Sequence, residues 1–296
     1  MEEVILICSG VIAATGSVTN ALSLSYFARK AERSLCNRLF MMLNTFDLLV
    51  SVIDVAMVTL WYCKEPVLCG DNFTFLLVLA AFDFSVGSSA FATCVLSVTR
   101  TVSLFFPFYQ MQKQAVGIAS LIFLVQEVLR LIFKFYFNDV KEKKQNLIYV
   151  EFDNGFTIVL LSMVTLVSLG SSLLSAWKLL GKRKKLQVAP VDDRNLGARM
   201  KTNQKATVTI IIVSILFCFF NSVFCVSLYF LIFGGRDSPK VRKMGTIETV
   251  LYAFSLWFAV PLNSAINPII YFTRKKNMVK YLMELIPAKF LDRIGK

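Results

Sequence analysis

The chain contains no histidine, and few of its residues carry charge. Histidine, the side chain that most often acts as a general acid or base, is absent from all 296 positions. No nucleophile–base pair stands at a recognisable spacing either, so we do not expect an enzyme. Charged residues make up 17% of the chain and hydrophobic residues 56%, which is unusual for a soluble domain of this length.

The apolar residues are gathered into seven long runs. A transmembrane helix needs roughly 20 such residues, and each run is about that long. Seven runs in succession cannot all be buried core helices. The sequence therefore predicts an all-α membrane protein, a seven-transmembrane helix bundle over 1–272 followed by a tail, 273–296. The predicted spans are about 4–27, 38–62, 73–104, 115–137, 156–180, 206–233 and 246–272.

Basic residues are distributed unevenly between the connecting segments. With the N-terminus outside, the inner segments 28–38, 105–114, 181–205 and 273–296 hold 20 of the 32 Lys and Arg, and the outer loops hold eight. This is the positive-inside bias. The net charge of +13 thus indicates topology and contact with an anionic lipid bilayer, not nucleic-acid binding. We expect a multi-pass plasma-membrane protein with a cytoplasmic C-terminus.

The tail alternates basic and apolar residues at helical spacing. Met278, Leu282 and Leu285 fall on one face, so a short amphipathic eighth helix is expected along the inner membrane surface. A frayed tail is the alternative.

The first outer loop holds two candidate modification sites. Cys63 and Cys69 face the oxidising side and are a possible disulfide; two free thiols are the alternative. Asn72-Phe73-Thr74 is a glycosylation sequon.

Polar side chains inside the spans are functional hypotheses by default. Asp47 lies about nine residues inside the second span, so its carboxylate needs a cation, hydrogen-bond donors or a proton. Asn263 and Asn267 share one face of the seventh helix, and with Ser89 they can supply oxygens. These residue types fit a small hard cation and also a hydrogen-bonded polar core.

Pro268 follows Asn267 inside the seventh span. It removes a backbone donor and kinks the helix. A bent polar helix beside a buried aspartate is typical of a switching element, although a passive kink is the alternative.

Four segments resemble the signatures of rhodopsin-like (class A) G-protein-coupled receptors. PLNSAINPIIY, residues 261–271, resembles the helix-seven pattern N-S-x-x-N-P-x-x-Y, and LNTFDLL, residues 43–49, is similar to L-A-x-x-D-L-L. Asn20 stands where the family has its helix-one asparagine. SVTRT, residues 97–101, with Pro107 downstream, resembles the D-R-Y segment. The chain is identified as a divergent member of this family.

The resemblance implies roles for these residues. An allosteric sodium pocket would be formed by Asp47, Ser89, Asn263, Ser264 and Asn267. On activation, helix six would swing out and Arg100 would pack against a heterotrimeric G protein. The switch would comprise Thr99, Arg100, Pro107 and Tyr271, and the helix-seven motif Asn267, Pro268 and Tyr271.

Several family features are missing. The acid before the arginine is Thr99 here, and the helix-six C-W-x-P pattern appears as CFFN, residues 218–221. The disulfide to the second outer loop has no counterpart, because 138–155 contains no cysteine. The family's switch is therefore altered in this chain.

The resemblance also narrows the ligand. The seventh span, 246–272, has no lysine, and the opsin Schiff-base position would fall at Pro261, so we expect no retinal and no required cofactor. A small extracellular ligand, cationic or aromatic, is expected in an outer cavity. That cavity would comprise Asp54, Phe82, Asp83, Phe219 and Trp257; a structural network of Asp54, Asp83, Glu127 and Arg130 is the alternative.

Three functions follow from these observations. The first is a receptor that couples an extracellular ligand to a heterotrimeric G protein. The second is a transporter or channel, against which stand the lack of repeat symmetry and of a continuous polar pathway. The third is a family member that no longer signals, because Thr99, Thr101 and Asn221 replace family residues.

Overall fold

A computed structural model describes the chain over 2–29, 35–62, 73–106, 113–139, 143–186, 194–233 and 254–274, together with Met278 and Tyr281. Within these residues every position except Phe106 is helical. The predicted all-α fold is confirmed for the described part of the chain.

Seven helices follow one another along the sequence. A π-helical turn, Ser255–Ala259, runs directly into the last of them. Their bounds are α1 Glu2–Arg29, α2 Leu35–Tyr62, α3 Phe73–Phe105, α4 Lys113–Asp139, α5 Lys143–Leu186, α6 Arg194–Phe233 and α7 Val260–Arg274.

Six of the described helices, α1 to α6, are long and apolar enough to cross a membrane. The remaining one, α7, is described only from the preceding turn onward. Helix α5 extends beyond the apolar run 156–180 by a polar segment at each end. Helix α6 begins with a polar segment that precedes the apolar run 206–233. Apolar runs indicate only the part of a helix that lipid surrounds. The helices are longer than these runs because their backbone hydrogen bonding continues into the polar segments. The chain is a multi-pass membrane protein.

Helix α4 stands at the edge of the bundle. It packs lightly against α3 and α5, and Ile118, Leu121 and Ile122 are exposed by 60%, 59% and 63%. Apolar side chains on an outward face are what lipid tails require, since lipid is as apolar as leucine. This face of α4 therefore suits contact with lipid.

An aromatic core identifies one end of the bundle. The rings of Phe27 (α1) and Phe40 (α2) stack at 5.4 Å, and Phe40 meets the edge of Tyr271 (α7) at 4.9 Å. Leu96 of α3 belongs to the same cluster. Arg100 lies one turn beyond Leu96, so we call this the Arg100 end.

Two described residues of the tail pack against α1 at this end. Met278 is fully buried in the aromatic core. The hydroxyl groups of Tyr281 and Ser25 lie 2.8 Å apart, and Arg29 stands over the Tyr281 ring at 5.5 Å. The other residues of the predicted amphipathic helix beyond Arg274, including Leu282 and Leu285, lie outside the described part of the chain.

Helix α1 approaches α2 and α7 closely at Gly16. A Cβ atom at this position would lie 2.6 Å from Ser51 Oγ and 3.2 Å from Ala265 Cβ. Both distances are shorter than ordinary van der Waals contact, so a larger residue at this position would force Ser51 or Ala265 to shift. In membrane proteins, small residues at helix contacts allow the helix backbones to approach closely.

Candidate functional site

Asp47 joins three helices at the centre of the bundle. Its side chain is fully buried. Ser89 Oγ on α3 donates a hydrogen bond to Asp47 Oδ1 at 2.5 Å, and Asn267 Nδ2 on α7 donates one to Oδ2 at 2.8 Å. Each carboxylate oxygen thus has a donor, as burial of a charged group requires.

Asn20 and Ser264 complete this polar centre. Asn20 Nδ2 donates to the carbonyl of Gly16 at 2.9 Å and to that of Ser264 at 3.1 Å, which ties α1 to α7. The Ser264 side chain is also within hydrogen-bonding reach of Asp47. The structure therefore brings together four of the five predicted pocket residues around one carboxylate.

The fifth residue, Asn263, lines a cavity of about 20 Å³ beside this centre. Its Oδ1 is buried and has no hydrogen-bond partner among the described residues, and the same holds for Oδ1 of Asn267. Leaving a buried acceptor unsatisfied costs about 1–3 kcal/mol, and a space of this size holds one water. The described lining also includes Ser89, Asn221 and Ser264 among apolar side chains. Neutral oxygens beside a carboxylate suit a water molecule or a small hard cation.

Arg100 is bound to α6. Its Nε donates a hydrogen bond to Thr207 Oγ1 at 2.8 Å, and Thr207 is fully buried. The preceding Thr99 is also buried. A neutral hydroxyl on α6 thus holds the arginine in the described structure.

Hydroxyl groups surround this contact at the junction of α3, α5 and α6. Ser97 Oγ is hydrogen-bonded to Ser214 Oγ on α6 and lies 3.3 Å from Ser168 Oγ on α5. Thr101 Oγ1 lies 2.9 Å from Ser175 Oγ. Hydroxyl groups therefore connect the three helices at this junction.

Sequence reasoning did not single out the α6 partners of these bonds. Thr207, Ser214 and Asn221 are spaced seven residues apart, which places them on one face of a helix. That spacing is the signal from which the inward face of α6 can be predicted.

Tyr271 and Pro268 lie in the buried part of α7. The Tyr271 ring is fully buried against Phe27 and Phe40. Within the part of the chain that the structure describes, its hydroxyl has no hydrogen-bond partner. Pro268 is buried inside the helix. Pro107, the fourth residue of the predicted switch, lies outside the described residues.

The acidic residues expected around a ligand are separated. Arg130 on α4 lies 3.9 Å from Asp83 and 3.7 Å from Glu127, and its Nη2 donates to Thr157 Oγ1 at 2.7 Å. Asp54 is fully buried elsewhere, where it accepts a hydrogen bond from Ser9 Oγ at 3.0 Å. The structure thus forms the alternative network around Arg130, but without Asp54.

The aromatic residues of the expected ligand cavity also differ in their positions. Phe82 and Trp257 pack in one apolar cluster with Met57 and Val260. Phe219 is 62% exposed on the outer surface, whereas the next residue, Phe220, lines the cavity beside Asp47. Consecutive residues of a helix point about 100° apart, so the expected inward position is taken by Phe220.

A second cavity, of about 30 Å³, lies between α3, α4 and α5. Asp83, Glu127 and Arg130 line it together with Phe82. Val86 and Phe224 line both this cavity and the one beside Asp47. These two residues form a wall that the two cavities share. Of the residues predicted to line an outer cavity, Phe82 and Asp83 line the second cavity.

The remaining predicted sites lie outside the part of the chain that the structure describes. These are Cys63, Cys69 and the sequon residue Asn72. The described cysteines, Cys8, Cys36, Cys94, Cys218 and Cys225, are free thiols.

Comparison with known proteins agrees with this architecture. The sequence profile of the 7 transmembrane receptor (rhodopsin family) matches residues 19–271, from α1 to the tyrosine of the helix-seven motif. No curated protein matches the chain. The chain belongs to the rhodopsin family of seven-transmembrane receptors.

Proposed function

We propose that this receptor transmits the binding of a small extracellular ligand to a heterotrimeric G protein at the Arg100 end. The observation that carries the proposal is the 2.8 Å hydrogen bond from Arg100 to Thr207. It holds the guanidinium of α3 against α6. An outward movement of α6 would break this bond, and the guanidinium would then bind carbonyl and carboxylate groups of a protein partner.

The charge distribution supports this orientation. The segments that flank the Arg100 end hold most of the basic residues, 20 of 32. The positive-inside rule then assigns this end to the cytoplasm and the N-terminus to the outside. A receptor for an extracellular ligand would act in the plasma membrane.

A sodium ion is the occupant that we propose for the Asp47 centre. Asp47, Ser89, Asn263, Ser264 and Asn267 would hold it. The fit rests on the Oδ1 atoms of Asn263 and Asn267, which have no hydrogen-bond partner among the described residues. It rests also on the cavity of about 20 Å³ that Ser89, Asn263 and Ser264 line. When bound, the ion would supply a positive charge to the carboxylate. Asn20 meanwhile keeps α1 bound to α7 beside this centre.

The ligand is proposed to act through the wall between the two cavities. Asp83 is the most exposed member of the Arg130 network, with 29% of its side chain accessible. A ligand that displaced Val86 or Phe224 from this side would change the cavity beside Asp47, because both residues line both cavities. This supplies a direct packing path from the outer side of the bundle to its polar centre.

A ligand screen with purified full-length receptor tests the proposal. Nucleotide exchange would be measured on several heterotrimeric G proteins in parallel, with Arg100→Ala as the control that should not respond. Ligand-dependent exchange supports the receptor function. Ligand-gated current without exchange would instead indicate a channel, and ligand binding without exchange on any G protein would indicate a relative that no longer signals.

A further inference from the structure

Asn221 of α6 is bonded to α5 through its amide nitrogen. Nδ2 donates to the carbonyl of Leu161 at 3.1 Å and to Thr165 Oγ1. Thr165 Oγ1 in turn donates to the same Leu161 carbonyl at 2.6 Å. The amide is thus inserted into one turn of α5, in a side chain that is 7% exposed.

Other contacts hold α6 to the same turn of α5. Cys218 Sγ lies 3.5 Å from the carbonyl of Thr165, and Leu161, Phe217 and Cys218 pack in one apolar cluster with Ala90 of α3. Helix α6 contains no proline between Arg194 and Phe233. Its direction is therefore set by the side chains that bind it and not by a proline kink.

The same Asn221 lines the cavity beside Asp47, together with Ser89 of α3 and Asn263 of α7. A buried water needs two to four polar partners, and Asn263 Oδ1 is a buried acceptor with no hydrogen-bond partner in the described residues. An occupant of this cavity therefore meets polar side chains from three helices. Asn221 is the member of this set that is also hydrogen-bonded to α5.

We infer that Asn221 is a positioning residue that couples occupancy of the cavity beside Asp47, by water or sodium, to the packing of α6 on α5 at Thr165. The sodium occupant rests on the proposed function, whereas the contacts of Asn221 do not. Energetic coupling between two sites is reciprocal. Weakening the Asn221–Thr165 bond therefore weakens sodium binding, although Thr165 is not part of the described cavity lining.

Thr165→Val tests this coupling in the full-length protein in detergent. The substitution keeps the shape of the side chain and removes the hydroxyl that Asn221 binds. The matched control is Ser162→Ala, which removes the contact of Ser162 Oγ with Cys225 Sγ at 3.9 Å in the same α5–α6 interface. Thermal unfolding would be followed by a thiol-reactive dye on the free cysteines Cys94 and Cys218, over a sodium titration at constant ionic strength. Asp47→Asn serves as the variant that lacks the carboxylate proposed to bind sodium.

The expected result is that Thr165→Val raises the half-saturating sodium concentration at least about fivefold, the low end of ordinary coupling, while Ser162→Ala leaves it unchanged. If Thr165→Val matches wild type while Asp47→Asn abolishes the response, the coupling is overturned and the sodium pocket stands. If wild type shows no response to sodium, the pocket itself fails. In that case the thermal unfolding midpoints of Ser89→Ala, Thr165→Val and the double variant decide. Non-additive changes in the midpoint support coupling through Asn221, and additive changes overturn it.

Discussion

The guanidinium of Arg100 donates a hydrogen bond to the hydroxyl of Thr207, 107 positions away, at 2.8 Å. This bond joins α3 to α6 through a neutral hydroxyl. A hydrogen bond that involves a charged group contributes about 1.5–3 kcal/mol, which is less than a buried ion pair loses when one partner is removed. The contact between the two helices is therefore one that modest binding energy can break.

Thr207→Val is expected to raise basal nucleotide exchange about tenfold. The substitution removes roughly 1.4 kcal/mol of stabilisation from the state in which Arg100 is bonded to α6, and this changes the population of that state relative to the active state about tenfold. The measurement is exchange on a responsive G protein without ligand. Thr209→Val is the matched control, since the described hydrogen bond of Thr209 Oγ1 stays within its own helix, to the carbonyl of Lys205. Equal basal exchange in the two variants would show that the Thr207 hydroxyl does not restrain α6.

Thr99→Asp is expected to lower basal exchange below that of wild type. An aspartate at this position places a carboxylate directly before Arg100, and the resulting ion pair holds the guanidinium more firmly than hydroxyls do. Thr99→Asn has the same size without the charge and should not lower exchange to the same extent. If wild type and Thr99→Asp have the same basal exchange, the missing acid has no effect on the switch.

Asp47→Asn is expected to abolish any sodium dependence of ligand affinity and of thermal stability. The amide keeps the shape of the side chain but removes the negative charge that a cation requires. Asp54→Asn is the control on the same helix, because Asp54 is equally buried but is bound to Ser9, outside this centre. A sodium response that survives in Asp47→Asn, or is lost in Asp54→Asn, would contradict the assignment of the pocket to Asp47.

The predictable part of the fold is the part that depends on composition and length. Apolar runs of membrane-spanning length indicated the helices, and the polar residues inside them pointed to Asp47, Ser89 and Asn267, which do meet. The helix extensions of α5 and α6 were missed because polar helical turns outside lipid leave no signal in hydropathy.

The side-chain partners were harder to predict because they depend on helix rotation. A rotation of 100° decides whether Phe219 or Phe220 faces inward, and the apolar run around them is equally hydrophobic at both positions. The partner of Asp54 is Ser9, 45 positions earlier, and no motif links the two. Tertiary contacts of this kind follow from packing, which a single sequence does not encode as a local pattern.

Gly16→Ala is expected to lower the thermal midpoint by several degrees. The new methyl group meets Ser51 Oγ at 2.6 Å, which displaces the hydroxyl from its bond to the Asp47 carbonyl at 2.8 Å. Overpacking of this kind costs about 1–3 kcal/mol. Gly170→Ala is the control: nothing lies within 4 Å of its added Cβ, so the change should be neutral or stabilising. Adding Ser51→Ala to Gly16→Ala should restore part of the midpoint, and no recovery would place the strain elsewhere.

Arg130→Met is expected to destabilise the receptor more than any surface substitution. It removes the guanidinium that lies 3.7 Å from Glu127, whose side chain is 1% exposed, and removing one partner of a buried ion pair costs about 3–5 kcal/mol. Lys178→Met is the control, because the described contact of Lys178 is the Phe105 ring at 4.9 Å, a cation–π interaction that contributes about 0.5–2 kcal/mol. The measurement is the thermal midpoint in detergent. Adding Glu127→Gln to Arg130→Met should recover stability by removing the buried charge; a double variant no more stable than Arg130→Met would argue that Glu127 is not held by Arg130.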